Sequence, residues 1–139
     1  SADTVEQVSL EFKDFQFLGD DSMAGAEFAR AVWELYPDQF DTWDEAMFNA
    51  QDDEGDQGFG NAASIDKLDA TISGIDAAKV KADVAANKAS YDAAWQADRA
   101  EGQKFGINAT PSFIVGTQVI AGAQPYSAFQ AAIDAELGQ

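Results

Sequence analysis

Phe113-Ile114-Val115 limits the fold of this chain more than any other stretch. Three consecutive apolar residues of aromatic and β-branched type, headed by a proline, have the length and character of a short core strand. Pro111 stands where its missing N–H interrupts no ladder, and it confines Thr110 to extended conformations. Gly116-Thr117 then reverses the chain into a second short strand. Gly122-Ala123-Gln124-Pro125-Tyr126 forms the loop into a terminal helix that turns Phe129, Ala132, Ile133 and Leu137 inward and ends at Gly138. The strand pair and the helices around it make the chain α/β. On residue type alone the Thr110-Pro111 bond is expected to be trans, since only about 5–6% of X-Pro bonds in folded proteins are cis.

Upstream, Val8, Leu10 and Phe12 share one face of an expected strand from Val5 to Phe17, with Phe15 and Phe17 continuing it after a bulge near Asp14. Asp20, Asp21 and Ser22 are cap residues for a helix from about Met23 to Leu35, with Met23, Ala26, Ala29, Val32, Trp33 and Tyr36 as its stripe. Pro37-Asp38 ends that helix. A second one, Gln39 to Ala50, carries Phe40, Trp43, Met47 and Ala50 at helical spacing, which reads as core rather than a cofactor pocket. Ser64 is expected to cap a short helix with Ile65, Leu68 and Ile72 inward. Gly74 breaks it, and Asp76 opens another through Val80 and Val84. Ser90 is expected to cap a separate long helix with Tyr91, Ala94, Trp95, Asp98, Gly102 and Phe105 along one side and Gly106 at its end. Asp98 is out of place on that side and needs a base or a backbone group beside it. No internal repeat or linker interrupts the chain, so one domain is expected.

The acidic loop from Gln51 to Asn61 suggests calcium through Asp52, Asp53, Glu54 and Asp56, but the spacing fails. Counted from Asp53, an EF-hand loop would place Gly55 and Gln57 at ligand positions and Ser64 where the bidentate Glu belongs. The chain holds 25 acidic and 8 basic residues, for a net charge of −17, so nucleic acid and anionic lipid are repelled. Such self-repulsion is screened within about 10 Å at 0.1 M salt and about 3 Å at 1 M. Both a high-salt setting and a domain kept soluble by charge fit this composition. No apolar run approaches the roughly 20 residues of a membrane span, and Ser1-Ala2-Asp3 lacks a signal-peptide pattern, so a soluble mature chain or fragment is expected. With 139 residues it could bury roughly 68–70% of its unfolded surface. Cysteine and histidine are both absent. The chain therefore offers no thiolate, no disulfide, no soft metal site and no imidazole for acid-base work. Gly-x-Ser-x-Gly and phosphate-loop motifs are absent too, and with no histidine the sequence argues against a hydrolase.

Gly106-Ile107-Asn108-Ala109-Thr110-Pro111-Ser112-Phe113 and Gly122-Ala123-Gln124-Pro125-Tyr126 resemble the cis-proline loop and final β-hairpin of DsbA-like thioredoxin-fold thiol-disulfide oxidoreductases. Val8 to Phe15, Met23 to Tyr36 and Phe40 to Phe48 are similar to that family's second core strand and the first helices of its helical insertion. The resemblance implies a thioredoxin-like fold over residues 1–139, as a single DsbA-type domain. Residues 22–105 would be the helical insertion, and 107–139 the cis-proline loop, hairpin and final helix. It also implies that the domain is incomplete at the N-terminus, without the first strand and the active-site helix that carry Cys-x-x-Cys. In a rival register, Glu11-Phe12-Lys13-Asp14-Phe15-Gln16 leads into the motif and Phe17 and Asp20 stand on the two cysteines. The helix from Met23 then runs into the Trp43 block with no strand between, which favours the first register.

A missing central strand would leave two neighbours with unpaired backbone, at about 1–3 kcal/mol for each buried unmet group. Direct pairing of Val8–Phe15 with Phe113–Val115, a strand from another copy or another chain, or a separate N-terminal half would each close the gap. The family role carries over to Thr110 and Pro111 alone, as residues that meet a substrate backbone. The resemblance thus implies a redox-inactive relative that binds a polypeptide partner or forms the non-catalytic half of an enzyme. It has no catalytic residue, cofactor or metal, and it works outside the cytoplasm where disulfides form. The alternative is an assembly module that pairs its incomplete sheet with a partner strand, including as a homo-oligomer.

Overall fold

A computed structural model describes residues 7–52 and 58–138 of the chain. They gather into two compact units, Ser1–Arg99 and Ala100–Gln139.

The first unit is helical. Helix α1 spans Asp20–Leu35, with Gly19 at its N-cap at φ +93°. Asp20 and Asp21 sit in its first turn, not at the cap, where their charge complements the helix dipole. The buried face keeps Ala26 and Val32 of the expected stripe and adds Phe28 and Ala31, whereas Trp33 is 54% exposed. Phe28, Ala31, Val32 and Leu35 follow the i, i+3, i+4, i+7 rule, and burial of the bulky Phe28 turns the helix onto that face. Trp33 meets Phe40 edge-on, at 5.3 Å between ring centroids. After a 3₁₀ turn at Pro37–Gln39, helix α2 spans Phe40–Ala50 and buries Phe40 and Trp43.

Helix α3 covers Ala62–Asp69. Its cap is Asn61, whose Oδ1 accepts from the Ala63 and Ser64 amides at 3.1 and 3.0 Å. Ser64, the expected cap, lies inside the first turn and accepts from the Gly60 amide at 2.9 Å. Helix α4 is a single element of 28 residues, Ala77–Lys104, so the break expected at Ser90 does not exist. Val80, Val84, Tyr91 and Trp95 make one buried stripe across that point, and a serine on the exposed side of an alanine-rich helix costs only a few tenths of a kcal/mol. Packing overrides the local capping preference.

The strand expected from Val5 to Phe17 is also absent among the described residues 7–17. Residues 5 and 6 lie outside the described residues. Val8, Leu10 and Phe12 share a face, but they are 43%, 72% and 58% exposed. Alternation of residues prepares a strand without creating one, because the ladder needs a partner. The only sheet among the described residues is a two-stranded one elsewhere. Side chains hold the segment instead: Phe12 meets Phe40 edge-on at 5.7 Å, and Asp14 accepts from Arg30 Nε at 3.0 Å.

In the second unit, Gly106 at φ +77° ends α4. The Ile107 amide donates to the Gly102 carbonyl and the Gly106 amide to that of Gln103, at 3.0 and 3.1 Å, which is the double bond of a Schellman cap. Strands β1, Ser112–Val115, and β2, Gln118–Ala121, pair antiparallel with Phe113 opposite Ile120 and Ile114 opposite Val119. The two-residue loop uses Gly116 at φ +57°, the left-handed geometry that a tight hairpin requires. Helix α5, Tyr126–Leu137, covers one face of the hairpin through Phe129, whose ring meets Phe113 edge-on at 4.7 Å. Gly138 closes α5 in the left-handed region.

Candidate functional site

The loop before β1 holds the two residues expected to meet a polypeptide. The Thr110-Pro111 peptide is cis, and both residues are exposed. Short bonds on either side fix the frame around them. The Gly122 amide donates to the Pro111 carbonyl at 2.8 Å, and Ser112 Oγ donates to the Ala109 carbonyl at 2.7 Å. Gln124 Nε2 donates to the Ala121 carbonyl at 2.9 Å and holds the neighbouring loop. Among the described residues, no other backbone group takes the Thr110 N–H or C=O. Thr110 therefore presents one donor and one acceptor on a pinned loop, which suits an extended peptide backbone.

Beside it, each strand of the two-stranded sheet has one edge without a partner strand among the described residues. Ile114 and Val119 stand opposite each other, 44% and 50% exposed, so the hairpin face away from Phe129 is apolar and uncovered by α5. The hydroxyl next to Thr110 in this loop is that of Ser112, which is spent on the Ala109 carbonyl. Without cysteine, the loop has no thiolate for disulfide exchange.

The first unit holds the charged groups that sequence reasoning placed poorly. Asp98 does have bases beside it: Lys13 at 3.4 Å and, closer, Arg30 Nη2. Arg30 also binds Asp14, whose carboxyl is raised above its usual range because burial outweighs the guanidinium beside it. This network ties residues 13 and 14 to α1 and α4. Asp69 is fully buried, accepts from Trp43 Nε1 at 2.6 Å through Oδ1, and has no partner for Oδ2. Desolvation pushes its carboxyl up to about 6. Its position four residues after Ile65 was the available signal, since that places it on the apolar stripe.

No group of acids arranged to hold a metal occurs among the described residues. Asp53, Glu54 and Asp56 of the acidic loop lie outside the described residues. Asp52, the fourth, accepts from the Phe59 amide at 2.7 Å. No helix of the described residues is long and apolar enough to cross a membrane.

A family model described as thioredoxin matches residues 3–135. Among solved structures, the chain is similar to oxidised BdbD from Bacillus subtilis, with 25% identity and a TM-score of 0.73. The alignment covers 89% of this chain and 65% of BdbD, so the chain spans less than two thirds of that structure's length. No curated protein matches it in sequence.

Proposed function

We propose, from the premise that this chain belongs to the thioredoxin family and is DsbA-like in kind, that it binds extended polypeptide without performing thiol-disulfide exchange. The observation that carries this reading is the exposed Thr110-Pro111 loop, with unengaged Thr110 backbone on a hydrogen-bonded frame. Exchange requires a thiolate to attack a disulfide sulfur, and the 139 residues contain no cysteine. Dithiol oxidation by this chain alone should stay at the uncatalysed rate. The bound polypeptide is either a client or a strand-and-helix unit that carries Cys-x-x-Cys, in which case this chain supplies the non-catalytic part of an enzyme. The setting that suits such a role is outside the cytoplasm.

Thr110→Pro tests the binding role, because it removes the N–H while the loop hydrogen bonds at Pro111, Ser112 and Gln124 involve other atoms. Loss of one backbone hydrogen bond should weaken binding of an unfolded, cysteine-free polypeptide about tenfold, with unchanged circular dichroism. Unchanged affinity would remove Thr110 from the site.

A second reading is an assembly module, favoured by the exposed Ile114 and Val119 pair and the unpartnered strand edges. It requires a dimer or heteromer with strands paired across chains. A strictly monomeric species in sedimentation at high salt argues against a homomer.

The charge of −17 suits a protein that works in salt. Raising NaCl from 0.1 to 2 M should lift the melting temperature by about 5 °C or more as self-repulsion is screened. A flat or falling melting temperature would leave the acidity as a solubility device.

A further inference from the structure

The first unit contains an open groove of about 1070 Å³, formed by residues 13–16 and 18–22, α1, α2 and residues 51, 52, 59 and 60. Its volume lies just above the range of small-molecule sites, about 300–1,000 Å³. Ala26, Ala29, Trp43 and Met47 make a low apolar floor, and Met47 lets that floor adjust to the shape above it. On the same lining, Leu18 and Phe48 are 73% and 68% exposed and add apolar surface to the groove. The rim is acidic, with Asp20, Asp21, Asp44 and Asp52 on it. Among the described lining residues the one cation is Lys13, which is engaged by Glu11 at 2.9 Å and Asp98 at 3.4 Å. Asp44 has no salt bridge among the described residues, and desolvation and Asp41 one turn away raise it above the usual carboxylate range, so a cation brought to this rim would relieve that repulsion.

An apolar floor with an acidic rim excludes two occupant classes. Anionic lipid and nucleic acid are repelled by the rim and by the whole chain's charge. A bare metal ion gains nothing from the aromatic and aliphatic walls, and the described residues hold no metal cluster. We propose that the groove binds a cationic amphipathic peptide segment, with leucine or phenylalanine side chains on the Trp43–Met47 floor and lysine or arginine at the aspartate rim. This binding is separate from that at Thr110, and the two are distinguishable by mutation.

The test is fluorescence anisotropy of the full chain with three labelled ten-residue peptides, alternating Lys/Leu, Glu/Leu and Lys/Ser. The Lys/Leu peptide alone should bind, and its affinity should fall as salt is raised. Asp44→Lys should weaken it at least about tenfold with an unchanged melting curve, as expected for a charge reversed at a contact. Phe48→Ser should weaken it as well, and Thr110→Pro should not. Equal binding of Lys/Ser would reduce the groove to non-specific charge attraction, and equal binding of Glu/Leu would reduce it to apolar adhesion; either overturns the proposal. So does wild-type affinity in Asp44→Lys, loss of binding in Thr110→Pro, or concentration-dependent dimerisation that Phe48→Ser abolishes, which would make a second copy the occupant.

Discussion

Trp43→Ala lowers the unfolding free energy of the first unit by about 3–5 kcal/mol, the range for deleting a large buried aromatic. Trp43 is 2% exposed and lies in one core with Phe28, Val32, Phe40, Ile65 and Val80. Its ring centroid is 6.0 Å from that of Phe40, so truncation leaves a cavity bordered by a second aromatic. Among the described residues, the same change removes the only hydrogen-bond donor to Asp69, whose Oδ2 already has none. A buried carboxylate would then face the core with both oxygens unmet. Since domains are stable by only about 5–15 kcal/mol, this variant should be largely or partly unfolded at moderate urea. Trp43→Phe separates the two contributions: it keeps most of the packing and drops the N–H, at about 1–3 kcal/mol. A urea midpoint for Trp43→Ala within about 0.5 M of wild type, which is about 1 kcal/mol at about 2 kcal/mol per molar, would show that this core does not hold the unit together.

Asp69→Asn should have the opposite sign. The carboxyl of Asp69 titrates near 6 in the folded chain against an ordinary 3.8, so the folded state holds its proton more tightly than the unfolded state. Stability from this group is therefore fully present below about pH 4 and is lost as pH rises through 6. At neutral pH the ionised group destabilises the fold by on the order of 2 kcal/mol. Asparagine is neutral throughout and still accepts from Trp43 Nε1 through its carbonyl oxygen. The variant should be more stable than wild type by about 1–2 kcal/mol at pH 7.5, and the advantage should disappear by about pH 4. Asp14 and Asp44 are also raised by burial and tilt the pH profile the same way. The difference between wild type and Asp69→Asn, followed by urea unfolding from pH 4 to 8, cancels those contributions. A difference that does not change with pH would mean that Asp69 keeps one protonation state across this range.

How far these features were legible depends on whether a residue's neighbours lie nearby in sequence. The aromatic stripe of α2 and the α5 stripe were readable because each is a spacing within one helix. Gly106 and Gly138 were readable as helix ends because a left-handed residue is a local requirement. Ser90 misled, since a cap preference of a few tenths of a kcal/mol gives way to a stripe that runs from Val80 to Trp95. The alternation at Val8, Leu10 and Phe12 was real, but a strand is a property of two segments and no second one pairs there among the described residues. At the candidate site, Thr110 and Pro111 stood out through their motif. That the Thr110 backbone is left unengaged, while Pro111 and Ser112 are bonded, depends on contacts that no spacing encodes. Asp98 was conspicuous by its position, and its partners Arg30 and Lys13 are 68 and 85 residues away.

The most direct measurement is an amide ¹H–¹⁵N titration of the labelled chain with an unfolded, cysteine-free polypeptide. Shifts concentrated on residues 107–115, and much reduced in Thr110→Pro, are the expected result. Saturable binding that leaves those amides unmoved would contradict a polypeptide-binding role for the Pro111 loop.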